Sequence, residues 1–131
     1  MEYEDALVAA GARIHDFRSF GSYQGDWIAK ITHEGVTGYV RGSFGSCTGC
    51  DAFEAEFGYT DREYCAKDHW EHTPTCADCV EAKIKYEAKL KLFGQSYLDV
   101  KYTHEELVYE FADQMSWDYE AREVIDWLAE H

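Results

Sequence analysis

At 131 residues the chain is long enough to bury a core of its own, and its 46% hydrophobic and 16% aromatic content excludes an intrinsically disordered polymer. Twenty-six acidic against twelve basic residues leave a formal charge of −14 at pH 7, which argues against binding nucleic acid by neutralising phosphates. The acidic start, MEYEDALVAAGARIHDF, has neither the basic region nor the apolar run of a secretory signal, and no segment has the apolar length that crosses a membrane; the expectation is a soluble cytoplasmic protein, where paired cysteines point to a metal before they point to disulfides.

Residues 3–10, YEDALVAA, read as a short helix with Tyr3, Leu7 and Ala10 on one face and Gly11 as its stop. Residues 12–46 read as β-structure. RIHDFRSF is one expected strand. DWIAKITHEGVTGYVRGSF is an expected hairpin turning near Glu34-Gly35, with Trp27, Ala29 and Ile31 alternating on one side. AFEAEFGY also alternates, Phe53, Ala55 and Phe57 against Glu54 and Glu56, and reads as a further strand. Thr60 and Glu63 fit a capping box that starts a helix at Asp61, and Pro74 then breaks the chain.

Residues 76–92, CADCVEAKIKYEAKLKL, carry conflicting signals. Val80, Ala82, Ile84, Tyr86, Ala88, Leu90 and Leu92 alternate with charged residues, as in a strand. Ala, Glu, Lys and Leu are nonetheless strong helix formers, the segment is long for a strand, and Ile84, Ala88 and Leu92 also share a helical face. A helix ending near Gly94 is the expectation. Thr103 and Glu106 make another capping box, after which Leu107, Phe111 and Met115 recur every four residues. Ser116 or Asp118 can cap a last helix whose apolar stripe is Ala121, Val124, Ile125 and Leu128.

Cys47 and Cys50 form one CxxC pair and Cys76 and Cys79 a second, with 25 residues between them. Two intervening residues let the chain curl so that both sulfurs reach one cation at about 2.3 Å, and two such pairs match a four-cysteine zinc site. Such a closed site would not activate water. It would tie the β half to the helical half and contribute about 10 kcal/mol to folding. Cys65, His69 and His72 stand one helical turn apart in a helix and offer a second site or a substitute ligand. A redox dithiol is the weaker reading, because no βαβ unit precedes either pair. Isolated buried cysteines and solvated histidines are the plain alternative.

No GxSxG, HExxH or phosphate-binding glycine loop is present. HWEH…PTCADC echoes a zinc deaminase, but Thr75 separates Pro74 from Cys76 and only His72 and Thr73 separate Glu71 from Pro74. A non-enzymatic role is therefore favoured. Charge is unevenly placed: from Thr103 to His131 nine acids face one base, Arg122, whereas Lys83, Lys85, Lys89 and Lys91 face only Glu81 and Glu87 between Val80 and Lys91. The acids Glu105, Glu106, Glu110, Asp113, Asp118, Glu120 and Glu123 can present a carboxylate array that mimics DNA phosphates and docks on a basic surface, with charge speeding the encounter. A solvated face that keeps the protein soluble explains the same charges.

The run GSYQGDWIAKI…GVTGYVRGSFGSCTGCDAFEAEFG, with FGQSYL and SWDYEAREVIDWL further on, resembles a family of small, uncharacterised acidic proteins of bacteriophage genomes, marked by a Gly-Ser-aromatic-Gly-Ser-Cys-x-x-Cys-Asp block at Gly42–Asp51. The resemblance covers most of the chain and carries over no catalytic residues. It implies binding to a host or defence protein, as an anti-CRISPR, an anti-restriction factor or another inhibitor. The expectation is an α+β domain spanning 1–131: a small antiparallel β-sheet within residues 1–58, joined through a four-cysteine zinc site to acidic helices within 59–131. Other classes consistent with the sequence are a thiol or zinc enzyme or redox switch using Cys65, His69 and His72, and a virion or assembly component that self-associates.

Overall fold

A computed structural model describes residues 2–21, 25–45, 51–57, 77–114 and 118–131. The helix expected from Asp61, and Cys47, Cys50, Cys65, His69, His72, Cys76, Met115 and Ser116, lie outside them. The protein is α+β, with one three-stranded antiparallel sheet and several helices. Helix α1 (Glu2–Ala9) stops as its sequence predicts: Gly11, at φ 100°, takes the left-handed conformation that glycine tolerates, and Ala12 N–H returns to Leu7 C=O at 3.0 Å. Strands β1 (Arg13–Gly21), β2 (Gly25–His33) and β3 (Val36–Phe44) pair in that order as a meander. Only Glu34 and Gly35 join β2 to β3, both at positive φ (53° and 78°), as in a two-residue primed turn whose twist suits a hairpin.

Both faces of this sheet are buried. Trp27, Ala29, Ile31 and Val40 point to one side, where α1, α2 (Ala52–Phe57) and α3 (Ala77–Leu98) pack. Phe20, Ile28 and Tyr39 point to the other, under α4 (His104–Ala112) and α5 (Tyr119–Glu130). The result is a helix–sheet–helix sandwich with an apolar cluster on each face. Trp27 is fully buried among Phe17, Tyr3 and Tyr97, with ring centroids 5.0–5.4 Å away, and Gly42 leaves the room its indole needs: a Cβ there would lie 2.6 Å from the ring. After α3 the chain returns along the free edge of β3, where Tyr39 and Tyr102 exchange backbone hydrogen bonds at 2.9 and 2.7 Å.

Two expectations are corrected. AFEAEFGY is helical over Ala52–Phe57, not a strand. Phenylalanines four apart share a helical face as well as a strand face, so the pattern alone was ambiguous. Helix wins because Asp51 caps it: its carboxylate accepts Phe53 N–H at 2.9 Å and its carbonyl accepts Ala55 N–H at 2.9 Å. Phe53 and Phe57 then stack at 4.4 Å and meet Phe93 of α3 edge-on. The conflict resolves as helix over the described residues 77–92, but α3 runs through Gly94 to Leu98. Gly94 is buried against α1, where a Cβ would come within 1.9 Å of Ala6 C=O. It is a contact glycine, not a terminator.

Among the described residues no helix is long and apolar enough to cross a membrane.

Candidate functional site

The acidic helices are placed by local rules and then partly consumed by the fold. Helix α4 opens on its capping box: Thr103 Oγ1 accepts Glu106 N–H at 3.1 Å, and Glu106 Oε1 accepts Thr103 N–H at 3.4 Å. Leu107 and Phe111 bury its inner face. Glu110 pairs with Arg41 of β3 at 2.7 Å, and that guanidinium lies over the Phe111 ring at 4.8 Å. Asp118, one of the two expected caps, accepts Glu120 N–H at 2.9 Å to start α5. Ala121, Val124 and Leu128 bury the expected stripe, with Trp127 added and Ile125 half-buried. Glu120 Oε1 accepts Asp26 N–H across the sheet edge at 2.9 Å. Burial pushes the Glu120 carboxyl up; the Asp26 N–H opposes this, and the Asp26 and Asp118 carboxylates add to it.

Of the seven sequence-chosen acids, Glu106, Glu110, Asp118 and Glu120 therefore have structural partners. Glu105, Asp113 and Glu123 are exposed and make no side-chain hydrogen bond or ion pair with the described residues. Glu105 and Asp113 flank Tyr109 at helical spacing. Its ring is 86% exposed, and the three line a shallow depression of about 680 Å³ with Val108 and Ala112. Sequence reasoning missed Tyr109 and the equally exposed Tyr119. The signal was available, since Tyr109 lies opposite Leu107 and Phe111 on the helical wheel. A ring between two carboxylates can take a cationic side chain by cation–π contact and charge-assisted hydrogen bonds.

A second cleft, about 490 Å³, lies where α5 ends against β2 and β3. Several of its polar groups are already paired. Lys30 Nζ and Tyr39 OH each donate to His131 C=O at 2.8 Å, and the His104 ring nitrogen bonds Leu128 C=O at 2.6 Å. These contacts satisfy carbonyls that a helix end leaves open.

On the opposite face, Asp51 sits beside the first cysteine pair in sequence. Its buried carboxylate accepts from Tyr3 OH at 2.5 Å, Phe53 N–H at 2.9 Å and Gly45 N–H at 3.0 Å, so it holds together both ends of segment 46–50. Burial raises the Tyr3 phenol well above its usual value, and the Asp51 hydrogen bond raises it further. Tyr97 of α3 is also raised, first by burial and then by the Asp51 charge.

Helix α2 runs antiparallel to α3: Phe53 meets Phe93, whereas Phe57 also meets Tyr86 about two turns nearer the α3 start. The Cys79 backbone lies on the first turn of α3, as expected. At 1.5 Å per residue it stands about 27 Å along the helix from the level of Tyr97, which neighbours Asp51. Among the described residues no group of three or more His, Cys, Asp or Glu side chains could hold a metal.

No protein-family model, no curated protein and no solved structure matches the chain.

Proposed function

We propose that this chain is a non-enzymatic, bacteriophage-encoded binding protein whose acidic α4–α5 face occupies a basic surface on a host or defence protein, in the manner of an anti-CRISPR or another host-protein inhibitor. The observation that carries the reading is the division of the carboxylates. The fold uses four of them and leaves Glu105, Asp113 and Glu123 outward, beside two exposed tyrosines. Carboxylates and tyrosines of this kind suit recognition of arginine and lysine, and tyrosine is enriched where interfaces concentrate their energy. The negative field of the whole chain would steer a basic partner toward it.

Charge reversal tests this. The triple variant Glu105→Lys, Asp113→Lys and Glu123→Lys is expected to keep the wild-type melting curve and to weaken binding to the basic partner at least tenfold. Raising salt should weaken the wild type in the same direction. Affinity left unchanged by the triple reversal would remove the acidic face from the proposal.

Zinc enters the same proposal as a structural ion. The proposed ligands are Cys47, Cys50, Cys76 and Cys79, with Cys65, His69 and His72 as a second site or a substitute ligand. Metal analysis of purified protein is expected to find about one zinc per chain, lost in Cys76→Ser/Cys79→Ser and in Cys47→Ser/Cys50→Ser alike. An ion kept in the second variant would remove Cys47 and Cys50 from the site.

A further inference from the structure

Helix α3 is the exception on an acidic protein. Its outward side carries Ile84, Ala88 and Leu92, four residues apart, with Ile84 62% and Leu92 74% exposed. Beside them Val8 of α1 is also exposed, and a groove of about 650 Å³ runs between the two helices, rimmed by Asp5, Glu87 and Lys91. Large apolar side chains grouped in this way mark an interaction surface.

We propose that this face binds a second copy of the same chain, α3 against α3, antiparallel about a two-fold axis near Ala88. Three features select that occupant. Small Ala88 at the centre lets two helices approach closely, and the antiparallel arrangement sets Ile84 of one copy against Leu92 of the other. Glu87 and Lys91, on one flank, then meet with opposite sign across the axis, while on the other flank Lys85 pairs with Glu81 at 3.1 Å and Lys89 Nζ donates to Glu56 C=O at 2.6 Å within each copy. The third feature is the charge of the whole molecule. Two chains of −14 repel, but α3 is the least acidic helix, with Lys83, Lys85, Lys89 and Lys91 against Glu81 and Glu87 within Val80–Lys91. The sandwich places α4 and α5 on the far side of the sheet, so a pair joined through α3 holds its acidic faces at opposite ends. Crossing helices with the α1 rims would bury on the order of 1,200 Å², at the lower edge of specific interfaces, and two-fold closure prevents further growth. This inference stands apart from the partner reading of α4–α5: either can fail alone.

Sedimentation equilibrium of the full chain tests it. The wild type is expected to approach twice 15.1 kDa at high protein concentration and to fall toward 15.1 kDa on dilution. Ile84→Glu/Leu92→Glu, at positions already exposed, should remain at 15.1 kDa with an unchanged circular dichroism spectrum. Glu87→Lys alone and Lys91→Glu alone should each weaken association at least tenfold, and the double swap Glu87→Lys/Lys91→Glu should recover it. A wild type that stays at 15.1 kDa up to about 1 mM, even if α3 captures a different protein, overturns the proposal. So does a dimer that survives Ile84→Glu/Leu92→Glu, or a double swap that fails to recover.

Discussion

Replacing Gly94 with alanine is expected to destabilise the protein by about 3 kcal/mol and to lower the melting temperature by about 10 °C. A Cβ at this position would lie 1.9 Å from Ala6 C=O and 2.5 Å from the carbonyl carbon. Neither atom belongs to a side chain that could rotate away, so α1 must move off α3. Tyr3, Ala6 and Leu7 of α1 are all buried in the cluster that covers Trp27, and that cluster loosens with it. The usual propensity argument gives the opposite sign, because alanine favours a helix interior over glycine by about 1 kcal/mol. Thermal unfolding followed by circular dichroism decides between them: a melting temperature equal to or above wild type would mean that α1 does not approach as closely as described.

Asp51→Ala is expected to cost about 4 kcal/mol, because Tyr3 OH and Gly45 N–H lose their acceptor and Phe53 N–H loses the better of two. Tyr3→Phe removes one of those bonds and should cost about 1–2 kcal/mol, and the pair should be non-additive, since both changes break the same contact. Denaturant unfolding of the four proteins closes the cycle; additive losses would mean that the phenol and carboxylate act independently. The same site gives a pH signature. The folded-state pKa of the Tyr3 phenol is raised, chiefly by burial, so its contribution is fully present below the unfolded value near 10 and is lost as pH rises through the folded value. Tyr97 and Tyr39 shift in the same direction through burial. Stability should therefore fall steeply in alkali from about pH 10 upward. A smooth tyrosine titration near that pH with no accompanying unfolding would contradict the burial of these phenols.

Local features were legible because their determinants lie within four residues of one another. The Thr103–Glu106 capping box, the Glu34-Gly35 turn and the stop at Gly11 each rest on a side chain or φ angle that a short window contains. The alternation of Trp27, Ala29 and Ile31 correctly assigned one sheet face. It did not reveal that the opposite face, bearing Asp26, Ile28 and Lys30, is covered too. There the half-buried Asp26 and Lys30 find distant partners: Asp26 N–H meets Glu120, 94 positions away, and Lys30 meets the carbonyl of His131, 101 positions away. The candidate binding face was half legible for the same reason. Composition pointed to the acidic helices, but nothing near Glu110 announces Arg41, and only the pairing of α4 with β3 removes that carboxylate from the outward set.

What the amino-acid sequence determined by itself is the set of elements with local signatures, namely α1, the three-stranded meander, α4 and α5, and the concentration of negative charge toward the last two helices. Hydrogen bonds between near neighbours and hydrophobic periodicity are enough for that. Only the tertiary structure decided that Gly94 is a point of contact, which carboxylates are already engaged, and that α3 turns an apolar edge outward at the far side of the sheet from the acids. Each of these depends on which distant backbone or side chain comes to lie within a few ångströms, and chain distance carries no record of that.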